Sequence, residues 1–281
     1  MQTRIIIDST ADLIPELKAC TAVVPLTVHF GEEEYTDGVT ITHQQFYEKL
    51  VETDVLPRTS QASPAAFAKA YKATKAEGCE AVVLTLSEKL SGTYQSATIA
   101  ARDYDNVVVV DTGSVTIGAG ILAEYAIGLA QQGLDARTIA LKLEEAKGRI
   151  RIVAMLDTLE YLKKGGRISS AAAFAGGLLN LKPVLSVKDG EINVLGKARG
   201  SKQGNNLLVS EIEKAGGVDF DMPVLLGYTG LSDALLQKYI KDSEALWAHG
   251  KTELNTTIIG SVIGTHAGPG AVAVAFFAKR A

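Results

Sequence analysis

Two short runs, AVVLTL (81–86) and NVVVVDT (106–112), restrict the fold of this chain more than any other feature. Both are β-branched and almost continuously apolar. Each therefore predicts a strand buried on both faces, as in a parallel sheet covered by helices. The segment between them, SGTYQSATIAARDY, reads as the helix that such a crossover needs.

The flanking patterns extend this unit. RIII (4–7) is a further strand, and Thr10 or Asp12 of DSTADLIPELKA can cap a short helix. TAVVPLTVHF and EEEYTDG follow as a hairpin-like excursion, with Pro25 suited to an edge. Thr42 and Gln45 have capping-box spacing ahead of HQQFYEKLVE. In SPAAFAKAYKATKAEG, Ser63 is a cap, Pro64 takes the first helical position and Gly78 is the stop. Helical patterns then run over roughly 116–132 and 135–148. Residues 1–152 are thus expected to form an N-terminal doubly wound, mainly parallel α/β domain.

Residues 153–281 read differently, as a C-terminal α+β domain with a mixed or antiparallel sheet. KPVLSVKDGEINVLGKAR places two strands around Asp189-Gly190, a type I′ hairpin signal. MPVLLGYTG, TTIIGSVIG and AVAVAFFAK predict more strands, with helices near 204–214 and 231–247. Lys163, Lys164 and Arg167 surround a Gly-Gly stop, and Ser169 or Ser170 is placed to cap a following helix. Lys197, Arg199 and Lys202 form a second basic group.

Bulk properties remove several functions. A net charge of -4 argues against nucleic-acid binding. Cys20 and Cys79 lack metal-ligand spacing and read as small buried hydrophobes of a reducing compartment. The start reads as a strand, and no apolar run reaches the ~18 residues of a spanning helix, so a cytoplasmic protein is expected. No Walker loop, zinc motif or G-x-S-x-G is present. Gly118-Ala-Gly120 matches only a loose dinucleotide fingerprint in the wrong context. An Asp8, Ser91, His266 triad is conceivable on residue types alone.

In open α/β sheets, ligands bind beyond the carboxyl ends of the strands. Three hydroxyl-rich segments are candidates for such a site: DSTAD (8–12), PRTSQASP (57–64) and LSEKLSGTYQSA (86–97). Hydroxyls at helix starts are caps first, but they also suit a carboxylate or phosphate. His266 of VIGTHAGPGAVAV reads as an imidazole in a glycine-rich turn. His29 and His43 lie on polar patterns, and His249 ends a helix.

Taken in order, DSTADL, RTSQAS, LSGTYQSA, LEYLKKGGRIS, LNLKPVL and SVIGTHAGPGAV resemble the DegV family over essentially the whole chain. The resemblance implies a non-catalytic protein that holds one long-chain fatty acid between two domains. In the fatty-acid-kinase branch, the acid is presented to a separate ATP-dependent kinase that makes acyl phosphate for phospholipid synthesis. The family's carboxylate-binding residues map onto Thr59 and Ser60, onto Ser91, Gly92 and Thr93, and onto His266. Arg167 and Arg199 match basic positions implied in partner or phosphoryl contact. The resemblance implies no cofactor and no metal, and it leaves transient contact with a membrane surface open.

This sequence departs from the family pattern twice. GSKQG follows Arg199 where a more basic run is common, and Ala62 stands where Pro is common. A stand-alone lipid carrier or sensor without a kinase, and a Ser/His hydrolase using Ser91 and His266, therefore remain alternatives.

Overall fold

The computed structural model describes residues 2–168, 181–248, 250 and 253–280. The first half runs β1 (Thr3–Asp8), α1 (Pro15–Lys18), β2 (Thr21–Val24), β3 (Thr27–Phe30), β4 (Glu33–Thr36), α2 (His43–Glu52) and β5 (Arg58–Ser60). It continues through α3 (Pro64–Ala76), β6 (Glu80–Thr85), α4 (Thr93–Ala101), β7 (Val107–Asp111), α5 (Thr116–Gln131) and α6 (Ala136–Lys147). Four of the strands form a parallel sheet in the order β2-β1-β6-β7. The excursion after β2 is a small antiparallel sheet, β4-β3-β5.

Strand alternation divides the apolar residues between the two faces of the parallel sheet. Ile5, Ile7, Val82 and Leu84 pack with residues of α5 and α6, while Ile6, Ala81 and Val83 pack with Phe67, Tyr71 and Ala97 of α3 and α4. The sheet is therefore doubly wound, and its strand order reverses between β1 and β6. β7 is less buried than its run of valines predicts, with only Val110 fully covered, because it is an edge strand.

The caps at Thr42 and Ser63 form as their spacing predicts. The cap before α1 does not, since Ile14 occupies that position and Asp12 is engaged elsewhere. Cys79 is buried but Cys20 is exposed, against expectation. Cys20 stands two residues beyond α1, a helix with no buried residue.

The second half comprises β8 (Ile150–Met155), α7 (Glu160–Lys164), β9 (Leu181–Lys188), β10 (Glu191–Arg199), α8 (Gly200–Lys214) and β11 (Val224–Tyr228). α9 (Ala234–Asp242), α10 (Glu244–Trp247), β12 (Thr256–Ile258), α11 (Ser261–Ala267) and β13 (Val272–Phe277) complete it. Its mixed sheet has the order β10-β9-β8-β13-β11-β12. The Asp189-Gly190 turn forms with both residues at positive φ, 52° and 76°. The cap expected at Ser169 or Ser170, and the helix end at His249, lie outside the described residues.

α5 is the shared layer between the two sheets. Ile117 and Ile121 belong to one apolar cluster with Ile5 and Ile7 of β1 and with Leu225, Ala273 and Ala275 of the mixed sheet. No helix among the described residues is long and apolar enough to cross a membrane.

Candidate functional site

The two sheets do not close completely on one another. Between them lies a cavity of about 410 Å³, within the ~300–1,000 Å³ common for small-molecule sites. Leu86 and Leu90 from the β6–α4 loop form one wall, facing Ile152 and Ala154 of β8 and Leu185 and Val187 of β9. Its polar lining includes Thr59, Ser60, Gln61, Ser91 and His266.

His266 sits in the last turn of α11, not in the loop that its glycines predict. Gly264 instead allows close packing, since a Cβ there would lie 2.5 Å from the Tyr47 hydroxyl. Gly268, at φ 70°, then ends the helix. The imidazole Nε2 is 3.0 Å from Thr59 Oγ1, and Nδ1 is buried with no hydrogen-bond partner among the described residues. Burial, and next the Arg167 charge, lower the His266 pKa to about 4. The ring is therefore neutral near pH 7 and carries a single N–H.

Ser91 Oγ lies 2.9 Å from Thr93 Oγ1 and also accepts from the Thr93 amide at 3.3 Å. Neither Ser91 nor Asp8 bonds the imidazole, so the conceivable triad is not assembled. Asp8 instead accepts from Thr10 and from the Leu86 amide. Gly92 makes room for Gln61, whose Oε1 would lie 2.2 Å from an added Cβ. Ser60 Oγ is 2.9 Å from His29 Nε2.

A second cavity of about 460 Å³ adjoins the first and shares Thr59, Arg167 and His266 with it. Arg58, Lys164 and Arg167 line it, and no carboxylate is among its described lining residues. Arg167 is exposed and donates through Nη1 to the Gly165 carbonyl at 2.7 Å. The arrangement is an apolar chamber and a basic vestibule separated by a hydroxyl–imidazole pair.

A family model described as "Uncharacterised protein, DegV family" matches residues 2–279. The chain belongs to the DegV family. It is 34% identical over 284 residues to a DegV domain-containing protein of Caldanaerobacter subterraneus, with 98% of each chain covered. A solved structure described as fatty acid binding of a DegV family protein from Thermus thermophilus superposes with a TM-score of 0.88 at 33% identity. That match covers 99% of this chain and 100% of the other. A stearic-acid-binding protein from Eubacterium ventriosum gives a TM-score of 0.86 at 29% identity, covering 97% of both chains.

In this DegV-family chain, Thr59, Ser60, Ser91, Gly92, Arg167 and His266 all line the chamber. Thr93 is fully buried behind Ser91 and does not line it. Arg199 ends β10, is exposed and lines neither cavity; its amide donates to Gln203 Oε1 at 3.0 Å. DSTAD lines neither cavity, since Ser9 and Thr10 serve backbone and carboxylate partners. His43 is largely buried beside Asp37 rather than solvated. Sequence reasoning missed Gln61, Thr116 and Arg58, although Gln61 and Arg58 stand inside the hydroxyl-rich stretch PRTSQASP.

Proposed function

We propose that the protein binds one long-chain fatty acid and presents its carboxylate to a partner ATP-dependent kinase. The single observation that carries this reading is the shared wall of Thr59, Arg167 and His266, with an apolar chamber on one side and a basic vestibule on the other. The tail occupies the chamber, and the head group rests at Thr59, Ser60, Ser91 and Gly92. In this reading the expected division at 152/153 moves to just ahead of β8 (Ile150–Met155), a strand of the later sheet. The setting is cytoplasmic.

Energetics divide the labour. Burying a methylene contributes ~0.8 kcal/mol, so ~14 of them supply roughly 11 kcal/mol gross. Charge-assisted hydrogen bonds add only ~1.5–3 kcal/mol each, before head-group desolvation is subtracted. The tail gives affinity, and the polar end gives position. With the proton on Nε2, His266 donates to Thr59 Oγ1 and leaves the threonine O–H to donate to the carboxylate.

A carboxylate is already ionised near pH 7, so it needs no general base. That agrees with an imidazole kept neutral by burial. In the transfer, a carboxylate oxygen attacks the γ-phosphorus of ATP and the bond to ADP breaks, giving acyl phosphate for phospholipid synthesis. Placing the acceptor is most of what a binding subunit can contribute to such a reaction. Arg58, Lys164 and Arg167 face the incoming phosphoryl group, and exposed Arg199 faces the partner.

Denaturing extraction of the recombinant protein, followed by lipid mass spectrometry, tests the first half of the reading. A stoichiometric C14–C20 acid is expected, and a folded protein that neither carries nor takes up any such acid refutes it. Mixing the loaded protein with a fatty acid kinase and ATP tests the second half. Acyl phosphate is the expected product. Its absence with a kinase active on another binding protein leaves the stand-alone carrier, which the GSKQG departure after Arg199 favours.

A further inference from the structure

The helix that carries His266 begins without a cap of its own. Gly260 holds the cap position of α11, no side chain of the helix closes it, and Ser261 Oγ has no hydrogen-bond partner among the described residues. The missing acceptor comes from the other end of the chain. Asp12, in the loop after β1, accepts the Gly260 amide on Oδ1 at 3.0 Å. Its second oxygen, Oδ2, accepts from the Thr116 hydroxyl at 2.6 Å.

Thr116 is the first residue of α5 and lines the apolar chamber. It holds φ 48°, a left-handed conformation that a β-branched residue adopts only under constraint from its surroundings. Two glycines let this junction close. A Cβ on Gly120 would fall 1.9 Å from the Asp12 carbonyl oxygen, and one on Gly260 would fall 3.1 Å from both Asp12 Oδ1 and His43 Nε2. Asp12 is fully enclosed and makes no ion pair among the described residues.

From this geometry we infer that Asp12 is a positioning residue: through Thr116 and Gly260 it fixes the His266 helix relative to the chamber wall, and thereby the Thr59–His266 pair that receives the carboxylate. The inference rests on the proposed fatty-acid reading for its functional consequence, but its structural half stands alone. Asp12 touches neither cavity, so it acts only through the groups it holds.

The carboxyl is also a titratable link. Burial, opposed by the Thr116 hydrogen bond, raises the Asp12 pKa to about 7. The charged or titratable groups facing this junction are Lys18 of α1, Asp37 after β4, and His43 and Tyr47 of α2. Ionised, Asp12 accepts both donors. Protonated, one oxygen becomes a donor and the grip on Thr116 or Gly260 changes.

The experiment uses delipidated full-length protein with 15N-labelled histidine. The His266 ring nitrogens are followed by NMR from pH 5.5 to 8.5, a range in which the ring itself stays neutral. The expected result is a chemical-shift step with a midpoint near pH 7 in the wild type, absent in Asp12→Asn, where His43 is retained. In parallel, the affinity ratio for a fatty acid over the matching fatty alcohol is measured. It is expected to fall at least tenfold in Asp12→Asn, with alcohol affinity unchanged, and likewise to fall in Thr116→Val and be restored in Thr116→Ser. A flat wild-type His266 profile, or a step that survives in folded Asp12→Asn, overturns the inference. If Asp12→Asn does not fold, the wild-type profile and Thr116→Val decide. Failure of the wild type to bind any fatty acid refutes the functional reading and leaves the NMR test of Asp12 in force.

Discussion

Ala154→Leu should shorten the acyl chain that the protein accepts. Ala154 lies in the middle of a central strand, paired in register with Leu185 on β9 and Ala273 on β13, yet it is only half-buried because it faces the chamber. Leucine adds three carbons at that point and fills space that three methylenes of a long tail would use. At ~0.8 kcal/mol per methylene the loss is ~2.4 kcal/mol. That corresponds to roughly 60-fold weaker binding for an acid that fills the chamber. An acid about three carbons shorter should bind almost as it does to the wild type. Because the new side chain enters a void, the overpacking penalty of ~1–3 kcal/mol for a filled core should not appear, and Tm should hold or rise. Titrating delipidated wild type and variant with saturated acids from C10 to C20 reads the whole profile. An unchanged profile in a folded variant would mean that the tail does not run past Ala154, and the assignment of this chamber to the tail would be wrong.

Gly165→Ala places a methyl 2.2 Å from His266 Nδ1 and should displace the ring from Thr59; lipid content is expected to persist while acyl-phosphate formation falls more than tenfold. Because the folded His266 pKa is lowered to about 4 from 6.5, the unfolded chain binds the extra proton first as pH falls. The wild type should therefore lose stability relative to His266→Gln between pH 6.5 and pH 4, by on the order of 3 kcal/mol in urea titrations; a pH-independent gap contradicts a buried neutral ring. Arg58→Glu should leave lipid content unchanged and slow acyl-phosphate formation, whereas equal rates would remove the vestibule from the reaction. Ser91 pairs with Thr93, so a fluorophosphonate probe should leave it unlabelled, and stoichiometric labelling at Ser91 would restore the hydrolase reading.

Three strands of the parallel sheet were legible because they carry the signal themselves; β2 was not, since TAVV reads as the start of the hairpin-like excursion yet pairs parallel with β1. AVVLTL is apolar at every position but one, and only a strand covered on both faces uses such a run. The caps at Thr42 and Ser63 were legible for a similar reason, since each depends on contacts within four residues. SVIGTHA forms a helix although its glycine and β-branched residues, poor helix formers, predict a strand and a turn; what makes it helical is its packing against Phe46 and Tyr47, far away in sequence. Asp12 failed as a helix cap for the same kind of reason: its partners lie 104 and 248 residues away. Thr59 and His266 were named from their motifs, but their contact spans 207 residues and no local pattern encodes it. Thr93 shows the limit of carrying motifs across, since it stands in LSGTYQSA beside Ser91 yet does not line the chamber.

The Asp189-Gly190 turn reaches across to the first lobe, where the Gly190 carbonyl accepts from Ser87 and Glu191 pairs with Lys89. With Thr59 and His266, it stitches the lobes together on both sides of the apolar chamber. A hydrocarbon tail lying between those stitches would act as a removable piece of core, supplying the dispersion contacts that opposing leucines and alanines cannot reach on their own. Cohesion of the two halves and occupancy then become a single quantity, and a melting curve alone reads how much of the population is loaded.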